Sequence, residues 1–93
     1  MEASIGNKAK GQSAVLARAF EDEPVRMLVV GTGPGYVEVS RSANGPTIGF
    51  PAAFVYEFDE ALYAGLRKAY QAGDSATLYA LWANAQHPVG LFR

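Results

Sequence analysis

His87 is the only histidine of this 93-residue chain, and the chain has no cysteine. The side chains that most often ligate zinc or pair as nucleophile and base are therefore scarce. A metal site would need carboxylates almost throughout. Disulfides, thiol catalysis, zinc ribbons and iron–sulfur clusters within one chain are excluded. Ser40, Ser42, Asp59 and Asp74 could complete a Ser-His-Asp set with His87, but no Gly-x-Ser-x-Gly elbow accompanies them. His87 stands before Pro88 at an expected helix end, where the helix dipole is reason enough for an imidazole. Glu57, Asp59 and Glu60 make the one acidic cluster beside aromatic residues. Paired-carboxylate chemistry needs two groups aimed at one point from about 5 to 10 Å apart, whereas Glu57 alternates away on a strand and Asp59 caps a helix. No catalytic residue, metal ligand or cofactor is assigned.

Gly31-Thr-Gly-Pro-Gly35 has the composition of a phosphate loop and lacks its sequel. A dinucleotide fingerprint places a third glycine ahead of a helix, but position 36 is tyrosine and opens a strand. A Walker loop ends in Lys and a hydroxyl, which are missing. A hairpin turn accounts for the segment.

Aromatic residues carry the stronger signal. Tyr63 and Tyr70 are seven apart and share a helix face, Tyr56 sits on the strand leading in, and Tyr79 and Trp82 sit on the helix leading out. Rings with polar handles beside Arg67 suit a cleft for a flat or apolar ligand, a dimer interface, or plain packing with hydroxyls at the rim. Leu91 and Phe92, in the apolar tail Val89-Gly-Leu-Phe-Arg93, either plug the core or dock on a partner subunit.

These candidates need positioning elements, and periodicity supplies them. Residues 1–12 are small and polar, with Gly6, Asn7 and Gly11 among them, and are expected to form a flexible arm ahead of one domain over 13–93. Ser13 to Phe20 reads as a short capped helix with Val15, Leu16, Ala19 and Phe20 on one face. Val25 to Val30 reads as a strand, and Tyr36 to Arg41 as a second with Val37 and Val39 inward. Asn44-Gly45 predicts a two-residue hairpin turn, Thr47 to Phe50 a returning strand, and Ala52 to Phe58 a fourth. Asp59 caps a helix with Leu62, Leu66, Ala69 and Tyr70 on one stripe. Gly73 ends it, and Asp74 or Ser75 opens another carrying Leu78, Leu81, Trp82 and Ala85. The expected fold is α+β: a three- to four-stranded antiparallel sheet packed on one face by a C-terminal helical hairpin, with a short N-terminal helix.

Composition bounds the function. Eight Lys and Arg against nine Asp and Glu leave a formal charge of −1, with no cationic run longer than two, which argues against nucleic-acid binding. Residues 1–8 lack the apolar core of a secretory signal and no stretch has a membrane span's length, so the expected location is the cytoplasm. A domain this small buries only roughly 60 to 65% of its unfolded surface, which favours a homodimer. Together these features predict a non-enzymatic binding or adaptor module acting as a homodimer, with a small-molecule domain built on an aromatic cleft as the alternative. A small enzyme and a single-stranded nucleic-acid binder rank below both. The candidate ligand or interface residues are Tyr56, Tyr63, Arg67, Tyr70, Tyr79, Trp82, Leu91 and Phe92.

Overall fold

Five short strands with apolar residues at alternate positions form a single antiparallel sheet in a computed structural model, which describes residues 13–88. The strands are β1 (Ala14–Arg18), β2 (Pro24–Gly33), β3 (Tyr36–Ser40), β4 (Thr47–Pro51) and β5 (Val55–Glu57), in spatial order β4-β3-β2-β1-β5. The expected arm of residues 1–12 lies outside the described residues, as do Leu91 and Phe92.

The expected N-terminal helix is β1 instead. Val15 and Ala17 face one side and Leu16 the other, and all three are buried, because this strand is covered on both faces. A strand buried on both faces reads as a continuous apolar run, in which helix and strand cannot be told apart by period. Its pairing with β2 (Val15 opposite Met27, Ala17 opposite Val25) decides the outcome.

Three other expectations change. β2 continues past Val30 to Gly33, with Gly31 opposite Glu38 and Gly33 opposite Tyr36, so only Pro34 and Gly35 of the expected glycine-rich turn make the hairpin. Asn44-Gly45 does not form a two-residue turn: neither residue has positive φ, and the link from Ser40 to Thr47 is a six-residue loop. Ser40 Oγ donates to the Ser42 carbonyl at 2.6 Å inside it. The segment from Ala52 is a strand only over Val55–Glu57, since Ala52–Phe54 is a 3-10 turn whose first N–H donates to the Gly35 carbonyl.

That turn sets the shape of the sheet. In a flat sheet, edges four spacings apart would be separated by about 19 Å. Pro51 and Val55, at the two edges, are joined by four backbone steps, which reach at most about 14 Å when fully extended and less through a 3-10 turn. The sheet therefore curls until β4 and β5 face each other across an open seam. The register shift between Val29 and Gly31 provides the bend: β2 pairs with β1 through its first half and with β3 through its second.

Curling creates an inside and an outside. Val15, Ala17, Val25, Met27, Val29, Val37, Val39 and Val55 fill the inside. Outside, Leu16 and Tyr56 meet two helices, α1 (Glu60–Ala72) and α2 (Ser75–Asn84), through Leu66, Ala69, Leu78 and Trp82. Each large side chain buried there contributes about 1.5–3 kcal/mol of transfer free energy. The helix limits follow from local chemistry. Asp59 Oδ1 accepts from the N–H groups of Ala61 and Leu62, at 2.8 and 3.2 Å. Gly73, at φ 70°, reverses the chain in the left-handed region, where a Cβ is unfavourable, and Asp74 Oδ1 accepts from Thr77 N–H.

Candidate functional site

Between β1 and β2 the chain reverses through Ala19–Glu23, and two consecutive residues there, Glu21 and Asp22, have φ of 60° and 65°. Neither is glycine, so each costs on the order of 1–2 kcal/mol of backbone strain. Contacts from outside the turn hold it. The Arg18 guanidinium pairs with the Asp22 carboxylate at 2.8 Å, and Trp82 Nε1–H, arriving from α2, donates to the Asp22 carbonyl at 3.0 Å. Partial burial works against the Arg18 cation, but its hydrogen bonds to Asp22 and Tyr56 and the charges behind them outweigh that and raise its pKa above the ordinary value. The turn thereby holds the Phe20 ring out in solvent at 86% exposure.

Phe20 does not stand alone. Across the seam, Ile48 and Phe50 on β4 pair with Val39 and Val37, which line the inside of the curled sheet. Residues directly opposite in an antiparallel pair share a face, so Ile48 and Phe50 continue the inner apolar surface outward to the edge. Phe54, at the end of the 3-10 turn, closes the far side. Phe20, Ile48, Phe50, Pro51 and Phe54, with Arg18, Glu21 and Asp22 at the rim, line a groove of about 420 Å³. Ile48 and Phe54 remain about half exposed. The groove is the place where the interior of the curled sheet opens to water.

Its floor includes an edge strand of the described sheet. β4 bonds β3 on one side and is an edge strand on the other. Its sequence, Thr-Ile-Gly-Phe-Pro, has no charged residue of the kind that discourages a further strand. The site combines apolar side-chain pockets with a strand edge that no other described strand pairs, the two requirements for taking up an extended peptide as an added strand.

The aromatic residues singled out in the sequence are dispersed. Tyr56 and Trp82 are buried under the helices with ring centroids 4.9 Å apart, and His87 stacks on Tyr56 at 4.6 Å. His87 Nδ1 lies 2.6 Å from the Val55 carbonyl, which can only accept, so Nδ1 carries the proton. Tyr63 is half-buried, packs on Phe58 at 5.6 Å and has the exposed Arg67 guanidinium 5.7 Å from its ring. Tyr70 lines a separate, more polar hollow with Asp74 and Ser75. Tyr79 is exposed, with Arg18 5.7 Å from its ring centroid. Arg18 therefore joins the helix aromatics to the groove.

Sequence reasoning missed Phe20, Ile48 and Phe54. Phe20 was placed on the apolar face of a helix that does not form. A usable signal was present in β4, because the prolines at 46 and 51 mark an edge strand, and the Thr-Ile-Gly-Phe between them carries two large apolar residues and no charge.

Among the described residues, no three His, Asp or Glu side chains gather as metal ligands, and no helix is long and apolar enough to cross a membrane. Comparison with protein-family models, with curated proteins and with solved structures finds no match for the chain.

Proposed function

We propose that the protein is a non-enzymatic binding module whose groove receives an extended, apolar segment of a partner protein along the free edge of β4. The observation that carries this reading is the convergence of Phe20, Ile48 and Phe54, all exposed, on one groove beside a strand edge that is unpaired among the described residues. Backbone pairing supplies register and the apolar pockets supply selection of side chains. A strained turn that holds a phenylalanine in water is costly for folding and useful for binding. A cytoplasmic setting suits a chain without cysteine.

A homodimer is the second reading, and the same strand favours it. Two copies of uncharged β4 can pair edge to edge and cover each other's Ile48.

Selection from a displayed library of random heptapeptides tests the proposal. Peptides with two or more large apolar residues are expected, binding with amide shifts concentrated at residues 47–54 and at Phe20. Phe20→Ser should weaken them at least about tenfold, close to 1.4 kcal/mol. Shifts confined to the helices would overturn the reading. Enrichment of no peptide, together with binding of small apolar compounds in the groove, would move it to the small-ligand alternative.

A further inference from the structure

We infer that the partner segment carries an apolar residue, then Arg or Lys, then a second apolar residue, and that its central cation lies across Gly49 to the carboxylate of Glu38. This rests on reading the groove as a peptide site, and it adds the partner's chemistry.

Backbone register carries the inference. β3 and β4 pair from Tyr36 opposite Pro51 to Ser40 opposite Thr47, and one step beyond, Ala52 N–H donates to the Gly35 carbonyl at 3.0 Å. Hydrogen-bonded and non-hydrogen-bonded pairs alternate along an antiparallel ladder. Ile48 and Phe50 therefore direct their N–H and C=O groups to β3, and Thr47, Gly49 and Pro51 turn theirs to the outer edge. Pro51 has no N–H, so Thr47 and Gly49 are the residues that offer both groups to an added strand. A segment centred on Gly49 sets two of its side chains beside Ile48 and Phe50, facing the groove. Its central side chain falls on the opposite face, beside Gly49.

On that opposite face the row beyond Gly49 is Glu38 and then Gly31. Glu38 thus stands between two residues without side chains, half-buried and with no ion pair among the described residues. Its Oε1 lies over Gly31, 3.2 Å from the place of a Cβ, and no Cβ blocks its turning back over Gly49. A partner residue opposite Gly49 is two strand spacings from Glu38, about 9.6 Å. The long stem of Arg or Lys covers the part over Gly49, and the Glu38 side chain covers the rest. The Tyr36 ring borders the same gap, with Cδ1 3.7 Å from the Cβ position of Gly49, and adds an aromatic wall that favours a cation. A second copy of β4, paired about Gly49, supplies glycine at the central place and leaves Glu38 without a cation, so the chemistry is that of a different partner.

The test titrates the isotopically labelled full chain with two end-blocked heptapeptides, Ser-Thr-Leu-Arg-Leu-Thr-Ser and the same peptide with Gln in place of Arg. Both should move amide resonances at residues 47–51. The Arg peptide should bind about fivefold tighter, the scale of a cross-strand ion pair, with a preference that shrinks as sodium chloride is raised. Glu38→Gln should equalise the two peptides. Glu38→Lys should make a third peptide, with Glu at the centre, bind tighter than the Arg peptide, a gain that a folding defect cannot produce. Equal binding of the Arg and Gln peptides by the unaltered chain overturns the inference and leaves the groove reading standing. So does a preference that persists in Glu38→Gln and disappears in Glu21→Gln, because the cation would then sit at the groove rim. Library-selected heptapeptides that bind the groove with no excess of Arg or Lys between two apolar residues overturn it likewise. If neither these peptides nor any selected heptapeptide moves residues 47–54, both readings fail.

Discussion

Glu21 and Asp22 show how one residue's backbone serves another residue's side chain. The turn could be relaxed by glycine, and Glu21→Gly is expected to raise the melting temperature, by relief of about 1 kcal/mol of left-handed strain. The same change should weaken capture of selected peptides, because Phe20 would no longer be held in place. Thermal unfolding and peptide affinity on one variant check both halves, and a stabilised protein with undiminished affinity would show that the turn's geometry does not serve the groove. At this scale the sequence was partly legible. Asp59, Gly73 and Asp74 announce their positions because a cap depends on neighbours within three residues. The turn that orients Phe20 is held at Asp22 by Trp82, sixty positions after Asp22, and no local pattern encodes that.

The helices and strands divide in the same manner. Both helices begin at an aspartate whose carboxylate accepts backbone N–H groups, and Asp59→Ala should cost about 1 kcal/mol in denaturant unfolding. Asp74 gives a pH-dependent counterpart. Its hydrogen bonds to Thr77 hold its pKa below the ordinary carboxylate value, so the proton is bound more weakly in the folded state than in the unfolded one. The contribution of that cap is complete above the unfolded value and lost as pH falls through the depressed folded one. Amide exchange at Thr77, corrected for its intrinsic pH dependence, should therefore lose protection in acid, and Asp74→Asn should remove most of that dependence. The α+β class, the helical hairpin and β3 were readable from their periods, and the Val25–Val30 part of β2 from its β-branched run, whereas the glycines that carry β2 on to Gly33 were read as turn. β1 was not readable, since a strand apolar on both faces has no alternation to read, and β5 was overextended because the seam-crossing turn at Ala52–Phe54 is imposed by closure of the sheet.

For the molecule as a whole, the curled sheet leaves the β4 edge unpaired among the described residues, and solution behaviour should depend on it. Ile48→Lys places a charge at the middle of β4, where the side chain is already half exposed. It should leave unfolding stability within about 0.5 kcal/mol while abolishing any concentration-dependent mass in light scattering. Self-association that survives this variant would mean that copies meet through another face. One contact described above also governs the order in which the molecule is completed. Asp22 receives its bond from an indole sixty residues later, and Val15 meets Glu57 only after the intervening strands exist. Long loops must close before either contact repays its entropy. During synthesis the Phe20 turn thus has only its local Arg18–Asp22 pair until α2 has left the ribosome and Trp82 can reach Asp22, so the rim of the proposed groove is completed late and an unfinished chain does not yet present it whole.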